Sequence, residues 1–184
     1  FNAIFIQLLM IVVAFIAADF MNGLAHLVMD NTHYYHTALG PFVAAFHLHH
    51  HTLLYKNRPI WQVFIQEPGS KFWLLFTLIV VQLCFIWHIV GQPPSIGTQW
   101  AFECFMWFSW WSCVAEVSHF LAHRPTNSAR IHWLQVHRFL LSKSHHANHH
   151  KLNNTHYAFL NGITDPVLNV IAHTFFTGYK DAAD

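Results

Sequence analysis

Residues 72–90 read FWLLFTLIVVQLCFIWHIV, a stretch without a charged side chain that closes on the run Gly91-Gln92-Pro93-Pro94. A bilayer crossing takes about 20 such residues in a helix, because hydrocarbon offers the backbone no hydrogen-bond partner and a helix satisfies its own. Proline then stops the helix, since it lacks the N–H donor and clashes with the preceding turn. Working outward, Phe1 to Ala18 is equally uncharged. Trp100 to Val117 holds only Glu103 near one end and Glu116 near the other, where a spanning helix meets the two interfaces. Three crossings are therefore predicted. Pro166 to Phe176 is too short to cross and reads as an interfacial or re-entrant helix.

The whole chain agrees with this reading. Of its 184 residues 54% are hydrophobic and only 9% charged, against about a quarter charged in a soluble domain. The expected fold class is an all-α integral membrane protein, one domain over residues 1–184, with no internal repeat, linker or low-complexity tract. The chain opens at Phe1 inside a hydrophobic run, with no methionine, basic leader or cleavage site, which predicts that the natural chain starts earlier. A net charge of +1 argues against nucleic acid as a partner. Cys84, Cys104 and Cys113 lie in apolar stretches without CxxC spacing. That excludes disulfide frameworks, zinc ribbons, thioredoxin chemistry and c-type haem attachment, and leaves them as small core residues.

Lys and Arg collect on the cytoplasmic side of membrane proteins. With three crossings, Lys56, Arg58, Lys71, Arg124, Arg130, Arg138, Lys143, Lys151 and Lys180 all fall on one side, which is predicted to be cytoplasmic. Arg124, Arg130, Arg138 and Lys143 serve that topology first, with attraction to lipid phosphates as the second reading. The same arrangement brings nearly every histidine to that face. His26 lies just past the inner end of the first span, the 47–51 cluster falls in the first inner loop, His119 and His123 leave the third span, and the 145–150 cluster follows.

Eighteen histidines against nine Lys+Arg and eight Asp+Glu suit metal ligation better than solvation. Residues three or four apart share a helix face and can clasp one ion. Four groups pass that test: His26 with Asp30 one turn on and Asp19 further back; His47, His49, His50 and His51; His119 with His123, preceded by Glu116; and His145, His146, His149 and His150. So many imidazoles exceed the needs of one tetrahedral zinc and suit two ions with open positions, for which iron with O₂ as cosubstrate is the natural choice. Such a pair can activate O₂ to attack an unactivated C–H bond, and an apolar body supplies an acyl or alkyl chain as substrate. A histidine-rich cytoplasmic di-iron cap on a membrane body is thus expected.

Less specific readings accompany these. Asp19 is expected to orient a ligand histidine, and Glu116 to ligate, orient a ligand or cap the helix. His88 is structural or interfacial. His33, His36, His132, His137 and His173 lack a partner at ligand spacing and read as surface or supporting residues. Trp107, Phe108, Trp110 and Trp111 read as lipid-facing or core side chains ahead of an acyl tunnel.

Asp19-Phe20-x2-Gly23-Leu24-x-His26-x3-Asp30, then Phe46-x2-His49-His50, His119-x3-His123, Leu134-Gln135 before His145-His146-x2-His149-His150, and Asn161-Gly162 with Asn169 beyond together resemble the Kua-type lipid desaturase family. That family includes plasmanylethanolamine desaturase and the plant enzyme that makes the trans-3 double bond in palmitate of phosphatidylglycerol. The resemblance spans roughly residues 17 to 172 and implies a multi-span di-iron enzyme placing a carbon–carbon double bond in a phospholipid chain. It further implies electrons from a donor such as cytochrome b5 or ferredoxin with its reductase, in the endoplasmic reticulum or a bacterial inner membrane. Its histidine motifs fall on His26, His49, His50, His119, His123, His145, His146, His149 and His150, with Asp30 as acidic companion. His47, His51 and His156 lie outside the pattern as extra candidates.

Other classes fit less well. A di-iron fatty-acid or sterol hydroxylase uses similar ligand groups and is the near alternative. A metal transporter needs ligands or acids along a path in the bilayer, and the first two spans are uncharged. A zinc intramembrane protease needs HExxH, which does not occur, and membrane b-type haem needs facing histidines at mid-span.

Overall fold

The computed structural model describes residues 3–51, 59, 70–91 and 95–179, and every regular element among them is an α-helix. In chain order these are α1 (Ala3–Asp30), α2 (Gly40–His51), α3 (Ser70–Gly91), α4 (Ile96–His123), α5 (Ala129–Val136), α6 (Lys143–Lys151) and α7 (Asp165–Phe175). Lys56, Arg58, Lys180 and the Gln92-Pro93-Pro94 breaker lie outside the described residues, as do the side chains of His51, Lys71 and His88. Among the described residues one helix, Ile4–Asp30, is long and apolar enough to cross a membrane. It does not stop at Ala18. It runs on without a break to Asp30, so Asp19, His26 and Asp30 ride on the same rigid rod as the apolar segment.

Two long helices of 28 residues each, α1 and α4, make the main pairing, and α3 packs on α4. Small residues set the distance between them: Ala14 and Ala18 on α1, and Ser112, Ala115, Ser118 and Ala122 on α4, are all buried. Close backbone approach and polar contacts hold the pair. Asn22 supplies one such contact, donating to Ser112 Oγ at 2.9 Å and to the Ala18 carbonyl. At the far end, Gln7 of α1 and Gln99 both donate to the buried Glu103 carboxylate, so Glu103 pairs inside the bundle. Leu8, Leu9, Val12, Val13 and Ile16 face outward as an apolar stripe that a lipid phase accommodates. Phe15 and Trp111 meet edge to face at 5.0 Å, and Trp111 and Phe108 pack on the core while Trp110 is exposed.

Serine caps punctuate the second half. Ser95, Ser128 and Ser142 each accept from an amide in the first turn of α4, α5 and α6. The predicted short helix is present as α7; Leu168 and Ala172 face inward, and Val167, Val170 and Phe175 face outward. Between α6 and α7 the chain does something unusual for a loop. Residues 157–160 are buried in the bundle, with Tyr157 and Leu160 wholly covered. Gly23 makes room for it, because a Cβ there would sit 2.9 Å from the Ala158 Cα and 2.5 Å from Leu168 Cδ1. Gly23→Val is therefore expected to cost about 1–3 kcal/mol by overpacking, read as a lower melting temperature of the detergent-purified protein. A melting temperature equal to the parent's would show that the segment yields freely.

Candidate metal centre

Four helix ends meet at one end of this bundle, and each delivers histidines. On α1, His26 and Asp30 are one turn apart; on α4, His119 and His123 are likewise. On α6, His146, His149 and His150 share a face, whereas His145 is rotated about 100° from His146. The last turn of α2 brings His49 and His50.

The side chains form two groups. In the first, ring nitrogens of His26, His49, His50 and His149 lie within 4.8 Å of one another. Asp30 joins them: its Oδ2 is 3.3 Å from His26 Nε2, 3.0 Å from His50 Nε2 and 3.3 Å from His149 Nε2. The second group is His49, His119, His123 and His146. Here the Nε2 atoms of His119, His123 and His146 form a triangle with sides of 3.1, 3.2 and 2.7 Å, and His150 Nε2 is 2.9 Å from His146 Nε2. Neutral imidazole nitrogens each donate one proton or none. Three such atoms cannot fill three mutual contacts with hydrogen bonds, so lone pairs or N–H groups are left facing one another.

The first group has the same property for a different reason. His26 Nδ1 donates to the Tyr157 carbonyl at 2.9 Å, His149 Nδ1 to the Thr155 carbonyl at 2.9 Å, and His49 Nδ1 to the Phe46 carbonyl. A carbonyl only accepts, so the ring proton is on Nδ1 and the Nε2 lone pair points into the centre. His26 Nε2, His49 Nε2, His149 Nε2 and Asp30 Oδ1 are buried without a hydrogen-bond partner. Buried lone pairs aimed at one another and at a carboxylate are costly alone and are relieved by a cation between them. Nδ1 fixed on a carbonyl with Nε2 presented is also how proteins orient metal-binding histidines. These residues fit metal ions.

The electrostatics agree. Burial, followed by the neighbouring imidazoles, holds His49 and His146 well below the ordinary histidine range. The same causes take His149 to about 4 and His150 to about 2, and burial lowers His50 as well, with Asp30 opposing the shift. All are neutral at pH 7, so binding an ion requires no prior proton loss. The sign for stability follows. A histidine whose pKa is lower folded than unfolded costs nothing above about 6.5 and destabilises progressively as pH falls through that value toward the folded pKa. The metal-free protein is thus expected to lose melting temperature steadily from pH 6.5 to pH 4, and a flat profile over that window would contradict the buried neutral ligands.

Two carboxylates and one buried segment hold this arrangement. Asp19 does not hydrogen-bond a ligand histidine directly. It is fully buried and accepts from the amides of Leu160, Asn161, Gly162 and Thr164 and from Thr164 Oγ1 at 2.7 to 3.3 Å. Asp165 accepts from the Ala158 amide at 2.8 Å with one oxygen and holds His145 Nε2 with the other. His145 consequently lies outside both groups, turned toward α7 and against the His156 ring at 4.6 Å. His156 has a left-handed backbone, φ 63°, stabilised by the Asn169 carboxamide on its amide, and it too stands apart from the centre. His47 bonds Tyr35 and the carbonyls of Met29 and Asp30, outside the groups. Glu116 is buried on α4 and belongs to neither group. His33, His132, His137 and His173 are exposed.

Sequence reasoning gave no role to the 157–160 segment or to Asp165, and took Asn169 only as part of the family resemblance. The segment's one signal was Asn153-Asn154-Thr155-His156-Tyr157, polar residues in a stretch that has to be buried. No curated protein and no solved structure matches the chain. The model of the lipid desaturase domain matches residues 15–179, from the first turn before Asp19 through the segment that follows α7, and the chain belongs to that family.

Proposed function

We propose that this protein is an O₂-dependent desaturase that introduces a carbon–carbon double bond into an alkyl or acyl chain of a membrane phospholipid, with plasmalogen-type vinyl-ether formation as the leading reaction. The observation that carries the reading is the convergence of His26, His49, His50, His119, His123, His146, His149 and Asp30 in a lipid desaturase domain. Because His49 Nδ1 is committed to Phe46, its one free nitrogen serves a single ion. His26, His50, His149 and Asp30 then hold one iron, and His49, His119, His123 and His146 the other, with His150 beside it. Bound there, two irons supply the O₂ activation that side chains lack.

The balance of the reaction is fixed by its chemistry. A –CH₂–CH₂– unit loses two hydrogens; together with two protons and two electrons from a small redox donor, cytochrome b5 or a ferredoxin, they reduce one O₂ to two waters. The chain's own residues hold the ligands' Nδ1 protons on carbonyls and keep bulk water out by burying the groups. The proposed topology has three crossings, α1, α3 and α4. At about 1.5 Å per residue the 22 residues of α3 reach roughly the thickness of a bilayer core. The histidine end then faces the cytoplasm, in the endoplasmic reticulum or a bacterial inner membrane.

Lipid mass spectrometry on cells expressing the protein tests the reading, with acid treatment to reveal vinyl ethers. A phospholipid lighter by two hydrogens and labile to acid is the expected product. An acid-stable product lighter by two hydrogens would move the bond elsewhere in the chain, and a gain of oxygen would make the enzyme a hydroxylase.

A further inference from the structure

His50 is the least enclosed member of the first group, its side chain 8% exposed where those of His26 and His149 are wholly covered. It comes from the last turn of α2, a short helix that packs chiefly on α1. What covers it comes from the other end of the chain. The Tyr179 ring stacks on the His50 ring with centroids 3.9 Å apart and planes 23° apart, and its hydroxyl reaches the carbonyls of His149 and His150 at 3.3 and 3.2 Å.

That placement is built rather than incidental. After α7 the chain is tied down residue by residue: the Phe176 carbonyl accepts from Asn154, the Thr177 carbonyl from Asn153, and the Gly178 amide donates to Asn31 at 3.0 Å. Gly178 has φ 96°, and a Cβ there would lie 2.2 Å from Asn153 Oδ1, so only glycine makes this turn. Asn31 sits one residue beyond Asp30, the carboxylate of the same group. The segment therefore leaves α7, is tied at Gly178 to Asn31 beside the ligand helix α1, and lays a flat ring on the least enclosed ligand.

We propose that Tyr179 is a positioning residue for the first metal group, its ring fixing the plane of His50 while its hydroxyl ties that ring to the end of α6. His50 has Nε2 3.0 Å from Asp30 Oδ2 and Nδ1 3.2 Å from His150 Nδ1, so a flipped ring would turn its carbon atoms Cε1 and Cδ2 toward these partners in place of the nitrogens. A face-on aromatic neighbour blocks that rotation and keeps water from the exposed edge. The inference rests on the two-ion reading above.

Cobalt(II) titration of the metal-stripped, detergent-purified full chain tests it, followed by visible absorption and by size-exclusion elution. The parent is expected to take up two cobalt ions. Tyr179→Phe keeps the stacked ring and is expected to bind both within about twofold of the parent. Tyr179→Ala is expected to bind one ion as the parent does and the other at least tenfold more weakly, with a changed spectrum for that ion and unchanged elution. Tyr179→Leu, which keeps apolar bulk without a flat ring, gives the same selective loss and serves where the alanine variant is unstable. An alanine or leucine variant that fills both positions with the parent's affinity and spectrum overturns the proposal, as does equal weakening of both ions, which would mean a general packing role. A parent that binds no cobalt overturns the two-ion reading and this inference with it.

Discussion

His149→Ala is expected to lower desaturated lipid by more than about 100-fold and to leave the purified protein with at most half of the parent's iron. His149 is wholly buried within the first group. Its ring is 4.5 Å from that of His26 and lies parallel to that of His49, 6.0 Å away, and its Nε2 faces Asp30. Truncation removes a ligand, leaves the Thr155 carbonyl without its donor and opens a gap that water enters. The exposed His173→Ala is the control, expected to match the parent in both readouts. Product quantified by mass spectrometry and iron by elemental analysis, on equal amounts of protein, decide the matter. Full product from the alanine variant would sink the metal centre as assigned.

How much of this centre was legible in the sequence depended on geometry that spacing captures. His26 with Asp30, His119 with His123, and His146 with His149 and His150 are i,i+3 or i,i+4 relations on single helices, and the structure brings the members of each set close together. The 47–51 cluster was harder, because adjacent residues on a helix point about 100° apart. His49 and His50 enter the centre, while His47 turns to Tyr35. His145 fails for the same reason: by i,i+4 spacing it pairs with His149, yet α6 presents its 146, 149 and 150 face inward and leaves His145 to Asp165. The roles of Asp19 and Asp165 were beyond pattern reading, since each acts on backbone amides more than a hundred or only a few residues away, and amides leave no mark in a sequence. Helix limits were underread too. The first apolar stretch ends at Ala18, but the polar turns that follow continue the helix because tertiary contacts satisfy Asp19, Asn22 and His26.

Asp19→Ala is expected to destabilise the protein by about 3–5 kcal/mol, the range for leaving the partners of a buried charge unmatched. Four amides and the Thr164 hydroxyl converge on its two oxygens from a single turn, residues 160–164. No other group among those bonds offers an acceptor, so their N–H dipoles would be buried without one. Asp19→Asn isolates the cause: it keeps the shape but turns an NH₂ toward donors and removes the charge, and is expected to recover only part of the loss. The damage then travels along a defined path. The turn anchors residues 155–160, whose Thr155 and Tyr157 carbonyls fix the Nδ1 protons of His149 and His26. A loosened segment lets both rings rotate, so iron content falls in the Asp19 variants although Asp19 touches no ligand. Excess iron is expected to restore part of the melting temperature, because an ion that binds the folded chain pulls the equilibrium back. Melting curves of parent, Asp19→Asn and Asp19→Ala, with and without added iron, separate this coupling from simple unfolding. Asn and Ala variants that melt with the parent and retain its iron would mean that the 160–164 turn holds its own shape and that the centre does not lean on it.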